Sequence, residues 1–224
     1  SNNLISFNKH NFYNKISSII DALNLGKSVA LVSDAGLPCI CDPGEELVKE
    51  AKIKGFNITA IPGPCAALTA LISSGLPSSK FTFEGFLPKK KKEREKILLE
   101  ISNNENTTIL YESPYRINKL LKELKEYCGG DREIEVFREL TKLFEENIGN
   151  NIDKVLGLIE GKETLGEFTL VIKGSNKKNK LEFQKLSLKR ELEELINAGL
   201  SLSAASKYLS KKNNISKNKI YNLY

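Results

Sequence analysis

Histidine occurs once in the 224 residues, as His10, and cysteine only four times, so the side chains that build most metal centres and thiol or imidazole catalysts are scarce. Cys39 and Cys41 are one residue apart, Cys65 lies in a different loop and Cys128 follows a helical stretch, so a zinc site fails on spacing and on partners. The thiols are expected to be small buried groups in a reducing compartment. His10 has no partner pattern for nucleophilic catalysis and is expected at the surface. No apolar run approaches the roughly 18 residues a membrane helix needs. The most apolar stretch, Ala66 to Ile72, is far shorter, and no charged, apolar, then small-residue leader opens the chain, so a cytosolic protein is expected. The chain contains neither a GxxxxGK loop nor a GxGxxG turn opening a helix, which removes the phosphate-loop and dinucleotide-binding readings.

What is present is a chain with 40% hydrophobic residues, enough to bury one large domain or two modest ones. Lysine and arginine number 34 against 28 aspartate and glutamate, a net charge of +6. The excess is clustered in PKKKKEREK (Pro88 to Lys96), in Lys173 to Lys180 and in a basic tail from Lys207 to Lys219. Any one such run is ordinarily solvated surface; together they favour a polyanionic partner.

Periodicity predicts a helix over Asn11 to Leu25 stopped by Gly26, a strand over Ser28 to Ser33, a Gly/Pro/Asp-dense loop, the helix EELVKEAKIKG, a strand over Asn57 to Ile61, then a loop and helix. From Lys80 onward FTFEGF, TTILY, EIEVFREL and FTLVIKG read as strands, while PKKKKEREKILLEI, YRINKLLKELKEY and Asn150 to Gly161 read as helices. This alternation predicts an α/β fold with a mainly parallel sheet. The expected division is an N-terminal α/β lobe over 1–78, a second lobe over 79–174, a polar linker over 175–186 and a helical C-terminal domain over 187–224, whose three short helices each open on a serine.

Three loops are placed to carry chemistry. In open α/β sheets ligands bind at the carboxyl ends of strands. Asp34, Ala35 and Gly36 stand at such an end, where one carboxylate suits a cationic ligand or ribose hydroxyls. The alternative is a tight connection, with Asp42 capping the next helix. In IPGPCAALTALISSGLP the small residues Cys65, Ala66 and Ala67 leave room for a ligand or, equally, for close helix packing. In ILYESPYRI, Glu112, Ser113 and Arg116 follow a strand end, where Ser113-Pro114 serves equally as a helix cap.

Taken in order, VALVSDAGLPCICDPG, IPGPCAALTALISSGLP, FEGFLPKKKKER, ILYESPYRI, RELTK and GEFTLVIKG resemble the tetrapyrrole methylase superfamily, and within it the ribosomal RNA branch. The ending SLSAASKYLSKKNNISKNKIYNLY is similar to the small helix-turn-helix domain of that branch. The resemblance implies a two-lobed fold, usually a homodimer, with S-adenosylmethionine held between the lobes by Asp34, Ala35, Gly36, Cys65, Ala66, Tyr111, Glu112, Gly166, Glu167, Phe168 and Thr169. It further implies 2'-O-methylation of a cytidine in the decoding region of small-subunit ribosomal RNA, free or in the assembled subunit. Family members begin with a strand, a PIGNL-type loop and a CEDTR-type segment; this sequence starts after both, so the first cofactor loop is expected to be absent and Ser1 to Asn3 to be a cloning remnant. NKHN stands where members carry HEHN, which bears on Asn8 and Lys9. By location, Glu112 and Glu139 are the candidate bases and Arg116 and Arg138 the candidate phosphate holders. Lys89, Lys90, Lys91, Lys92 and Arg94 are expected to touch RNA phosphates. A tetrapyrrole methyltransferase and a non-catalytic RNA-binding relative are the alternatives.

Overall fold

The computed structural model describes residues 4–8, 11–161, 164–213 and 215–224, and for Phe12, 177–184 and 186–187 the backbone alone. The expectations for Ser1 to Asn3, Lys9 and His10 lie outside the described residues. The chain divides into two compact units, Ser1–Thr69 and Ala70–Tyr224.

In the smaller unit, α1 (Phe12–Asn24) and α2 (Glu45–Ile53) pack Ile19 and Ile20 against Leu47 and Ala51, with Ile16, Leu23 and Phe56 around them. Both helices close as the sequence predicts: Lys27 N–H reaches the Ala22 carbonyl across Gly26, and Phe56 N–H reaches that of Ala51 across Gly55. Residues 28–33 and 57–61, expected as strands, have no ladder partner among the described residues. Strand propensity expresses fit to a half-buried pleated surface, and here Val32 and Ile61 stay 78% and 76% exposed. α3 (Ala66–Ser73) contains the division between units, which the sequence placed after residue 78; Ala70 and Leu71 are buried and belong with the larger unit.

The larger unit is built on a five-stranded sheet of β1 (Phe81–Phe86), β2 (Thr107–Glu112), β3 (Glu133–Arg138), β4 (Glu146–Asn151) and β5 (Phe168–Ile172), in the order β1-β2-β5-β3-β4. α4 (Lys91–Asn103), α5 (Ile117–Cys128) and α6 (Ile152–Ile159) pack on it through Leu98, Ile101, Leu120, Leu124, Val155 and Ile159, against Leu110, Ile134, Val136 and Leu170. Central β5 is buried along its whole length, which is why FTLVI is a continuous apolar run and not an alternation.

The expected mainly parallel sheet is corrected: among the described residues only β1 and β2 pair in parallel, and β5 lies antiparallel between β2 and β3. Each helical crossover still joins strands of one direction, β1 to β2, β2 to β3 and β4 to β5. What alternation leaves open is which strands become neighbours. β4 falls outside the sequence reading because ENIGNN, at the sheet edge and largely exposed, has no apolar alternation. The reading of 150–161 as a helix holds from Ile152, where the Asn151 side chain accepts from Lys154 N–H at 2.9 Å.

The expected linker over 175–186 is corrected too, since α7 (Lys177–Asn197) is helical from Lys177 onward. It joins α8 (Leu202–Asn213) and α9 (Lys217–Tyr221) around Leu192, Ala205, Leu209 and Ile220. Ser201 caps α8 by accepting from Ala204 N–H at 3.2 Å, and Arg190 pairs with Glu126 of α5.

Candidate functional site

In the smaller unit the two expected ligand loops meet. A Cβ on Gly36 would stand 3.3 Å from the Pro64 carbonyl oxygen, and one on Gly63 3.2 Å from Leu37 Cδ2. Gly36 also sits at φ +73°, a conformation side chains strain to adopt. Loops 34–37 and 62–65 thus touch through backbone and small residues. Asp34, Ala35 and Gly36 are exposed, and the Asp34 carboxylate has no hydrogen-bond or ion-pair partner among the described residues. Cys65 is half-buried beside exposed Ala66, and its carbonyl accepts from both the N–H and the hydroxyl of Thr69, each at 2.9 Å, opening α3.

The cap assigned to Asp42 is corrected. α2 starts from Gly44 without a side-chain cap, and Asp42 accepts from the Ser33 hydroxyl at 2.5 Å, bracing the loop across its base. The positive end of the helix dipole is met instead by Glu45 and Glu46 in the first turn.

In the larger unit the remaining candidates gather at one edge of the sheet, where β1, β2 and β3 end and β4 and β5 begin. Register pairs Phe86 with Tyr111, Tyr111 with Thr169, Glu112 with Phe168, and Arg138 with both Phe168 and Glu146. Tyr111 packs edge-on against Phe83 and Phe86, ring centroids 5.1 and 5.7 Å away. Phe168 and Thr169 are buried within β5, while Gly166 and Glu167 precede it near the surface.

Glu112 has no exposed side-chain surface. Its Oε1 receives Ser113 N–H at 2.8 Å and lies 2.7 Å from the Arg116 guanidinium, while its Oε2 stands 3.7 Å from Arg94. Arg116 Nε also donates to the Ser113 hydroxyl at 3.2 Å, so the Ser113-to-Arg116 turn is locked from within. Arg94 is 5% exposed and donates through Nε to Glu123 at 2.8 Å. Its expected phosphate contact is therefore corrected: position 94 lies on the inward face of α4, one helical turn from Leu98. Lys89, Lys90, Lys91 and Lys92 are exposed as expected, but Lys90 and Lys91 pair with Glu93 and Glu95 at 3.2 and 3.8 Å.

Glu139 adopts φ +51° just past β3, where its Oε1 accepts from Glu167 N–H at 2.8 Å and from Lys142 Nζ at 2.9 Å. Gly166 makes this possible, since a Cβ there would meet Glu139 Cγ at 2.5 Å. The Lys142 hydrogen bond first, and the Glu167 backbone bond second, hold the Glu139 carboxyl below its ordinary range, which weakens it as a base. Arg138 pairs with Glu146 at 2.8 Å beside a cleft of about 260 Å³ that Leu165 and Phe168 also line. Glu123 and Lys142, which complete these two networks, escaped the sequence reading. Lys142 has a local signal in its i,i+3 spacing from Glu139; Glu123 has none, being 29 residues from Arg94.

Residues 6–155 match the family profile described as Tetrapyrrole (Corrin/Porphyrin) Methylases. The chain is 41% identical over 225 aligned residues, 99% of its length and 77% of the relative's, to the ribosomal RNA small subunit methyltransferase I of Bacillus subtilis. Relatives of the same name from Synechocystis and Halalkalibacterium halodurans are 36% and 38% identical, over 98% and 99% of this chain and 78% and 77% of theirs. Among solved structures, the methyltransferase CobJ superposes with a TM-score of 0.56 at 18% identity, covering 72% of this chain and 71% of that one. The cobalt precorrin-4 methyltransferase CbiF superposes at 0.53 and 16% identity, covering 72% and 70%. At those identities the superpositions speak for the fold.

Proposed function

The chain belongs to the tetrapyrrole methylase family, and from that membership we propose that it is an S-adenosylmethionine-dependent methyltransferase of small-subunit ribosomal RNA. Its target is a cytidine 2'-hydroxyl in the decoding region, presented by the assembled subunit to a homodimer in the cytosol. The observation that carries the reading is the 41% identity, across almost the whole chain, to a relative bearing that name.

The residues present fit the cofactor. Loops 34–37 and 62–65 form a cradle that added Cβ atoms at Gly36 and Gly63 would fill, with an unpartnered carboxylate, Asp34, at its lip. When bound, S-adenosylmethionine supplies an electrophilic methyl group. Asp34 would face the ligand's positive charge, and the backbone around Ala35, Gly36, Cys65 and Ala66 would lie against its neutral parts.

Methyl transfer is an in-line displacement, so holding the ribose hydroxyl in line and excluding water does most of the work. Arg116 and Arg138 hold flanking phosphates, while Glu112 and Glu139 position them: Glu112 orders the Arg116 turn, and Glu139 anchors the segment before β5. The test is incubation of the protein with small ribosomal subunits and methyl-labelled S-adenosylmethionine, followed by mapping of the label. Label at one cytidine ribose is expected; label on a tetrapyrrole and none on RNA overturns the reading.

A further inference from the structure

Two basic regions of the larger unit, α4 and the α8–α9 tail, differ in how their charge is compensated. At the start of α4, glutamates 93, 95 and 100 answer lysines 90, 91 and 96 at 3.2, 3.8 and 3.8 Å. After Glu194 no acidic residue follows, while residues 195–224 carry five lysines and three tyrosines. One lysine of the five, Lys212, is neutralised by Glu191 of α7 at 2.7 Å. Lys217 donates to the uncharged Ser203 hydroxyl at 2.8 Å and keeps its charge. Lys207, Lys211 and Lys219 are exposed and have no carboxylate partner among the described residues.

These groups stand on a rigid frame. α8 buries Ala205, Ser206 and Leu209, which turns Lys207, Tyr208 and Lys211 outward together, with the two lysines one helical turn, about 6 Å, apart along the axis. The tyrosines are 56% (Tyr208), 46% (Tyr221) and 65% (Tyr224) exposed, an arrangement that core packing does not explain. Uncompensated cations interleaved with open aromatic rings match the two needs of single-stranded nucleic acid, phosphate attraction and base stacking.

We propose that the α8–α9 face is an RNA-docking surface separate from the catalytic edge, and that it supplies more of the affinity than the lysine run of α4. The proposal rests on RNA being the substrate. It assigns the lysines to phosphates, without sequence preference, and the tyrosines to stacking.

The test uses the full chain and a single-stranded oligouridylate as probe, its binding followed by fluorescence anisotropy across a salt series. Changing Lys207, Lys211, Lys217 and Lys219 together to Gln should flatten the slope of log affinity against log salt by about 0.7 per lost contact. Tyr208→Leu with Tyr221→Leu should weaken binding at least fivefold and leave the slope unchanged. The same glutamine exchange at Lys89 to Lys92 should change both less than the α8–α9 exchange. S-adenosylmethionine affinity, measured in parallel, should be untouched by every variant and verifies that each is folded. Wild-type affinity in the α8–α9 lysine variant, or a larger loss from the α4 variant, overturns the proposal. Tighter binding to anionic phospholipid vesicles than to RNA overturns it as well. Failure of the unaltered protein to label ribosomal RNA, with oligouridylate binding still lost in the α8–α9 variant, counts against the methyltransferase reading and not against this surface.

Discussion

The loops of the smaller unit and the sheet edge of the larger one are candidate sites made by opposite means. The first is assembled from backbone: glycine, proline and alanine let two loops touch, and its carboxylate, Asp34, is left open to solvent. The second is assembled from charge, with Glu112 enclosed between Arg94 and Arg116 and Glu139 clasped by Lys142 and the Glu167 backbone. A ligand-facing charge is to be looked for where a carboxylate lacks a partner. A carboxylate already held by cations serves to fix its neighbours in place.

That contrast breaks most visibly at Arg94. Arg94→Ala leaves buried Glu112 with Arg116 as its remaining cation and strips Glu123 of a partner 2.7 Å away, and leaving such groups unsatisfied costs about 1–3 kcal/mol, more where they are charged. Urea unfolding should register that loss, whereas Lys92→Ala, fully at the surface, should stay within about 0.5 kcal/mol of the parent. Equal effects at the two positions would make the network a surface feature.

Asp34→Asn should do the reverse. Loss of one charged contact weakens S-adenosylmethionine binding by about 1–3 kcal/mol. The melting temperature should hold, since Asp34 braces nothing. Calorimetric titration showing unchanged affinity would remove Asp34 from the site.

The smallest effect is a pH dependence at Glu139. Its carboxyl is held below the ordinary carboxylate range, so its contribution is present above the unfolded-state value and is lost as pH falls through the lowered folded-state value. Glu139→Gln should lower the melting temperature slightly at neutral pH, where the carboxylate's contribution is present, and so flatten the acid limb of the profile. An acid limb identical to the parent's would detach Glu139 from the Gly166–Glu167 segment.

Much of this was legible in the residue order. Helix ends at Gly26 and Gly55, the amphipathic α5, the buried run of β5 and the exposed lysines of α4 follow from local preference and period, which act over a few residues. The loops around Asp34 and Cys65 could be marked as candidate ligand loops because glycine and small residues leave a local trace.

Other features had no local trace. Nothing within reach of Arg94 distinguishes it from the four lysines before it; its burial follows from the helical turn that points it at Glu112 and Glu123, 18 and 29 residues away. Nor does the order of strands and helices tell that β5 inserts between β2 and β3, because a crossover sets direction and leaves adjacency open. The sequence by itself determined α1 and α2 in the smaller unit, α4 to α6 with β1, β2, β3 and β5 in the larger, and the open chemistry of the first loop. The tertiary structure alone decided which strands adjoin and which charges are enclosed, since both depend on contacts between residues far apart in the chain, where side-chain preference carries no information until the core has closed.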